Sequence, residues 1–409
     1  MFKRIAALLL SVSMVAGLAA CSNTTTTTST APDGSNGDDA TASDYKVAMI
    51  TDYGDITDQS FNQTTYEACK AFCDANNIQF SYYKPNGDNT AERVAMVDAA
   101  VADGYNVIVM PGYAFGGTIV EASEQYPEVK FVALDVAAGD ILEAGVPLQG
   151  EEYDYNPDNW NVKDYYYSDN VYCAVYQEEL CGYMAGYAAV KLGYTHLGFL
   201  GGMAVPAVMR YGYGFVQGVD AAAAELGIGD SVTVEYVYGN QFNGDADITS
   251  YMDNWYQTLG VEVVFACGGG IYTSAAEAAA KVDGKVIGVD VDQAAIIDAY
   301  GAGMTVTSAM KGLAPTTQHI LEEIILNDNW SSYAGQIETL GLVSGDDPEA
   351  NYVQLPMEST QWDDNFTQDN YKDLVAAMFD GEITVSNDTT VEPEANATVI
   401  TVNPYGNIK

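Results

Sequence analysis

From Tyr45 onward the chain repeats one pattern: a short apolar run ends in Asp or Gly, and a segment of helical periodicity follows. The runs cover residues 46–50, 107–110, 131–134, 197–200, 232–237, 261–266, 286–289 and 304–307. They are rich in Val and Ile and mostly lack alternation, as strands buried on both faces of a parallel sheet do. Helices are predicted around 60–76, 90–103, 116–126, 177–192, 206–226, 245–259, 273–281 and 312–327. Strand–helix alternation at this spacing predicts a doubly wound α/β architecture.

The residues before Tyr45 break the pattern. Lys3 and Arg4 precede an apolar run over 5–20, which has the form of a secretory signal and is too short for an ordinary spanning helix. It ends Leu18-Ala19-Ala20-Cys21, which resembles the lipobox of bacterial lipoproteins and implies that Cys21 is acylated. Residues 22–44 are a Thr, Ser, Gly and Asp tract with almost nothing to bury, and read as a disordered tether. The expected location is the extracytoplasmic face of a bacterial membrane, held by lipid.

Charge narrows the partners. Lys and Arg total 15 against 57 Asp and Glu in 409 residues, a net charge of −42. Such a chain repels nucleic acid and anionic lipid surfaces. Beyond the signal, Arg93 and Arg210 are the only arginines, too few for a dedicated phosphate clamp. Cys69, Cys73, Cys173, Cys181 and Cys267 read as buried packing residues, without the second pair or histidines of a metal site. His196 and His319 give no convincing Ser–His–Asp set, and neither a P-loop nor a dinucleotide fingerprint occurs. Neither cofactor nor metal is expected, and the chain is expected to be a monomer.

Chemistry collects where the runs end: at Asp52, Pro111-Gly112, Asp135, Gly201-Gly202, Gly239, Gly268 and Asp290. In open α/β sheets, ligands bind beyond the carboxyl ends of the strands. Carboxylates there suit hydroxyls or a base edge and would repel a phosphate. The densest stretch runs from Asp52 to Gln63. Ser60 and Gln63 read as a capping box, which puts Phe61 and Asn62 in the first helical turn at the mouth of the crevice. A ring, an amide and a carboxylate can stack one face of a nucleobase and hydrogen-bond its edge.

The stretch Val47-Ala-Met-Ile-Thr51-Asp52-Tyr-Gly-Asp-Ile-Thr-Asp-Gln-Ser-Phe-Asn-Gln63 resembles the opening of the basic membrane protein family, lipoproteins of bacterial ABC importers, many of them nucleoside receptors. Similar motifs follow in order: Tyr126 to Asp135, Gly182-Tyr-Met-Ala-Gly186, Gly198 to Gly202, Tyr213 to Gly218, Gly268-Gly-Gly270, Ile287-Gly-Val-Asp290-Val-Asp292-Gln293 and Thr307 to Lys311. Gly381-Glu-Ile-Thr-Val385 resembles the family's last strand, so the likeness covers about 45–385.

The resemblance implies a type I periplasmic-binding fold that closes on a purine nucleoside and delivers it to permease subunits. It places the purine between Phe61 and Phe242, with Ser60 in the same motif and Asp52 and Asn62 on the base. The ribose contacts are implied at Asp135, Asp290, Gly268, Gly269, Gly270 and Lys311. Lobe 1 is expected over 45–168 plus about 309–335, lobe 2 over 169–308 plus about 336–390, and a tail over 391–409. Residues 137–170 look like an insertion near the hinge or cleft rim. Two alternatives stay open: a sugar or metabolite receptor or sensor of the same fold, and a nucleoside hydrolase-like enzyme holding Ca²⁺ through Asp52, Asp55 and Asp58.

Overall fold

The computed structural model describes residues 44–409. The expected signal, Cys21 and nearly all of the tether lie outside the described residues.

The described strands are β1 (Lys46–Ile50), β2 (Gln79–Tyr83), β3 (Val107–Pro111), β4 (Lys130–Leu134), β5 (Val171–Tyr176), β6 (His196–Gly201), β7 (Thr233–Tyr238), β8 (Val263–Cys267), β9 (Lys285–Asp290), β10 (Thr305–Lys311), β11 (Ile337–Leu340), β12 (Val353–Gln354) and β13 (Thr401–Asn407). They form two sheets, ordered β11-β5-β4-β3-β1-β2 and β12-β10-β9-β8-β6-β7-β13. Among the described strands every pairing is parallel except β10 with β12. Each expected apolar run overlaps a strand, and β3 and β8 are buried along their whole length. That is why those runs lack alternation: helices cover both faces.

The expected lobe boundaries need correction. β5 pairs with β4 in the first sheet, although 169 onward was assigned to the second lobe. β11 pairs with β5, so 337–340 also belongs to the first. β10 stays in the second sheet to Lys311. The chain therefore crosses between lobes three times, near 177, 312 and 341–352. An apolar strand reads alike in either sheet, so composition alone does not say which one it joins.

The end of the chain differs too. Residues 381–385 are not a strand. The amides of Gly381, Glu382 and Ile383 bond to Met378 and Ala377 carbonyls, closing off helix Gln368–Phe379 instead of joining a ladder. The last strand is β13, inside the expected tail. Residues 149–170 pack on the outside of the first lobe: Tyr167 N and Asn170 Nδ2 bond to Ser123 in helix Gly116–Gln125. They do not line the central cavity.

The glycine-bearing motifs have a packing cause. Helices Glu178–Lys191 and Pro206–Leu226 cross with their backbones in contact. A Cβ on Gly182 would stand 2.1 Å from the Tyr211 carbonyl oxygen, and one on Gly218 would stand 2.0 Å from that of Tyr183. This crossing sets Glu178, Arg210 and Tyr211 beside the end of β10.

The five cysteines of the described chain are buried and free. Among the described residues no helix is long and apolar enough to cross a membrane.

Candidate functional site

A cavity of about 290 Å³ lies between the carboxyl ends of the two sheets. The first lobe lines it with Asp52, Tyr53, Phe61, Asn62, Tyr113 and Asp135. The second contributes Tyr211, Phe242, Gly268–Gly270, Asp290 and Lys311. The cavity thus brings together every candidate within the described residues except Ser60.

Ser60 is a correction. It is fully buried, and its hydroxyl donates to Asp290 Oδ2 at 2.5 Å. The expected capping box does not form, because Asp58 caps the helix Phe61–Asn76 instead. Asp58 accepts from the amides of Ser60 (2.9 Å), Asn62 (2.9 Å) and Gln63 (3.0 Å). An Asp three residues before the first helical residue reaches the free amides and frees Ser60 for the other lobe.

The orientation of Asn62 follows from its neighbours. Its Nδ2 donates to Asp58 Oδ2 (3.1 Å) and Asp52 Oδ1 (3.3 Å). Two carboxylates can only accept, so the amide nitrogen faces them. Asn62 Oδ1 is left buried with no partner among the described residues. Asp52 Oδ1 also accepts from the Tyr53 and Gly54 amides, each at 2.6 Å. Burial nevertheless raises the Asp52 pKa above the ordinary range.

Asp135 and Asp290 stand just past β4 and at the end of β9 in left-handed backbone conformations, with φ of 59° and 66°. That region disfavours most side chains, although Asp is among those that tolerate it. Both carboxylates meet Lys311. Its ammonium donates to Asp135 Oδ2 and lies 3.4 Å from Glu178 and 3.6 Å from Asp290. Arg210 Nε donates to Glu178 Oε2 at 2.7 Å. A buried chain Asp135–Lys311–Glu178–Arg210 therefore runs from one lobe into the other. Burial raises Asp135 to about 6, against the pull of Lys311. Its Oδ1 is buried with no partner among the described residues.

Aromatic groups come from both sides. Lys311 Nζ sits 4.8 Å from the centroid of Phe61, within cation–π range. Phe242 packs over two glycines: a Cβ on Gly202 would come within 2.5 Å of its ring, and one on Gly268 within 2.9 Å. Gly268 also has φ +154°, so a side chain there is excluded twice. Tyr53 tilts against Phe242 with centroids 6.1 Å apart. The hydroxyls of Tyr53 and Tyr113 meet Met203 Sδ across the lobes at 3.6 and 4.0 Å.

Sequence reasoning missed Tyr53, Tyr113, Glu178, Arg210, Tyr211 and Met203. Tyr53 and Tyr113 were within reach, since each directly follows a strand-end Asp or Gly. Asp52, Asp55 and Asp58 do not converge as a Ca²⁺ cluster would. Asp52 binds its own loop, Asp58 caps a helix, and Asp55 pairs with Lys84 at 2.7 Å.

Two sheet-bearing lobes with a cavity between their strand ends are the architecture of solute-binding proteins. A solute-binding protein of an ABC transporter system from Aeropyrum pernix K1 superposes with a TM-score of 0.60, at 20% identity over 84% of this chain and 88% of that one. One from Conexibacter woesei gives 0.59, at 20% identity over 84% and 99%. Residues 45–353 match the Bmp family of PnrA-like ABC transporter substrate-binding proteins, and the chain belongs to that family. It is accordingly a substrate-binding protein and not an enzyme. Its relatives include the ABC transporter nucleoside-binding protein BmpA of Lactococcus lactis, 26% identical over 61% of this chain and 65% of that protein. Basic membrane protein B of Borreliella burgdorferi is 26% identical over 76% and 82%. The CD4+ T-cell-stimulating antigen of Listeria innocua is 28% identical over 72% and 74%.

Proposed function

We propose that this protein is the lipid-anchored, extracytoplasmic receptor of an ABC importer, and that its ligand is a purine nucleoside captured by closure of the two lobes. One observation carries the ligand assignment. The cavity combines an aromatic ring from each lobe, Phe61 and Phe242, with two buried acceptors that have no partner among the described residues, Asn62 Oδ1 and Asp135 Oδ1. Rings suit a flat base, and orphaned acceptors suit the N–H and O–H groups of a base edge and a sugar. Ligand sites usually span about 300–1,000 Å³, so a cavity of about 290 Å³ is at the small end and suits a small ligand such as a nucleoside. The Lactococcus relative, named as nucleoside-binding, supports the same reading. The lobes close by hinge motion about the three crossovers. The Ala19-Ala20-Cys21 end of the apolar run supports a lipid anchor.

Calorimetric titration with adenosine, guanosine, inosine, free bases and sugars tests the assignment. A purine nucleoside is expected to bind with Kd near or below about 1 μM, or about −8.2 kcal/mol. Sugar binding with no nucleoside binding would overturn it.

A further inference from the structure

The family match ends at residue 353, yet residues 354–409 are folded on the second lobe. After helix Gln368–Phe379 the chain runs along helix Pro206–Leu226. Tyr213 Oη donates to the Val391 carbonyl at 2.8 Å, and Asp220 Oδ1 accepts from the amides of Thr398 (2.9 Å), Val399 (2.7 Å) and Ile400 (3.2 Å). These contacts deliver β13 to the open edge of β7, which it extends in parallel register from Thr401↔Thr233 to Asn407↔Tyr238. The Ile408 amide then bonds to the Tyr238 carbonyl at 2.8 Å, where β7 gives way to the loop that carries Phe242.

Lys409 pairs there with Asp245 Oδ2. The same carboxylate oxygen accepts from Gln241 Nε2 at 2.7 Å, and Gln241 Nε2 also donates to the Asn243 carbonyl at 2.7 Å. Asp245 Oδ1 meanwhile caps helix Ala246–Asn254 through the Asp247 and Ile248 amides, each at 3.0 Å. Gln241 and Asn243 flank Phe242, so a continuous set of polar contacts links Lys409 through Asp245 to the Gln241 side chain before that ring and to the Asn243 carbonyl after it.

We infer that segment 401–409 braces the Gly239–Gly244 loop, and that Lys409 is a positioning residue that sets Phe242 in the cavity wall. The bond from Lys409, with that from the Ile248 amide, holds Asp245 down at about 2, so the pair stays charged at any physiological pH. The inference rests on the nucleoside reading only where ligand affinity is measured.

The test uses the full chain with Lys409→Gln and Lys409→Arg. Amide hydrogen exchange over 239–244 is measured without ligand, beside nucleoside titration. In Lys409→Gln, exchange over 239–244 should rise about two- to fivefold while β8 and β9 stay unchanged, the scale of a partly exposed ion pair. Nucleoside affinity should fall by a similar factor, and Lys409→Arg should restore both. Unchanged exchange in Lys409→Gln would overturn the brace. If the parent protein binds no nucleoside, the nucleoside reading fails and the exchange measurement alone decides the brace.

Discussion

Ser60 Oγ and Asp290 Oδ2 lie 2.5 Å apart and join the start of a helix in one lobe to the end of a strand in the other. Beside them, Lys311 in the second lobe reaches Asp135 in the first. These contacts form a buried polar seam between the lobes, which the proposed closure would assemble. Loss of one partner from such a seam costs about 1–3 kcal/mol, because the other is left desolvated. Ser60→Ala should lower the melting temperature and weaken ligand binding. Small-angle scattering should show a larger fraction of open molecules. Unchanged affinity and scattering would mean that the bond has no part in closure.

The two rings make a second prediction. Phe61→Ala and Phe242→Ala should each weaken purine nucleoside binding by about 1–3 kcal/mol, the range for bases stacked on aromatic side chains. Calorimetry giving the parent affinity for both variants would remove the sandwich.

Charge makes a third. The cavity wall carries Asp52, Asp55, Asp58, Asp135 and Asp290, and its two lysines are already engaged, Lys311 among carboxylates and Lys84 with Asp55. A nucleoside monophosphate brings about −1.5 to −2 charges at neutral pH. Burial of that charge without an Arg fork costs several kcal/mol, and each 1.4 kcal/mol or so is tenfold in affinity. A nucleoside should bind at least about a hundredfold more tightly than its 5′-monophosphate. Paired titrations at one pH and salt concentration check this, and equal affinities would refute it.

Stability should depend on pH with a definite sign. Burial raises Asp140 and Glu179 to about 7 and Asp135 to about 6. The folded state therefore keeps protons that the unfolded chain has released. That contribution is fully present below the unfolded values and is lost as pH rises through the folded ones. Asp245, held at about 2, acts in the opposite direction but only in acid, well below this window. Urea midpoints should fall between about pH 4 and 7, with a slope of about 1.4 kcal/mol per pH unit for each retained proton. Asp140→Asn keeps an acceptor for the Ala137 amide and should flatten the profile. A flat profile in the parent protein would contradict the assignment.

The anchor makes the last. Cys21→Ser should move the protein from the membrane fraction to the medium or periplasm. A variant that stays membrane-bound through a high-salt wash would rule out lipid at Cys21.

The sequence by itself determined the buried strands other than β5, most of the helices and the acidic, aromatic crevice at the strand ends. Residues 46–50 and 206–226 stand where the pattern put them, because a strand covered on both faces or a long amphipathic helix writes its burial into local periodicity. Asp52, Phe61, Asn62, Asp135 and Asp290 were legible because chemistry in this architecture collects at carboxyl ends. The edge strands β2, β11 and β13 were not, since an edge carries polar and exposed positions. Only the tertiary structure decided which sheet β5 joins, and that Ser60 turns from its own helix to a residue 230 positions away. It also decided that Glu178 and Arg210 extend the Lys311 cluster, and that Met203 meets two tyrosines across the lobes. The physical reason is range: periodicity and caps act over a few residues, whereas a buried hydrogen-bond donor takes whichever acceptor the folded topology brings within 3 Å or so.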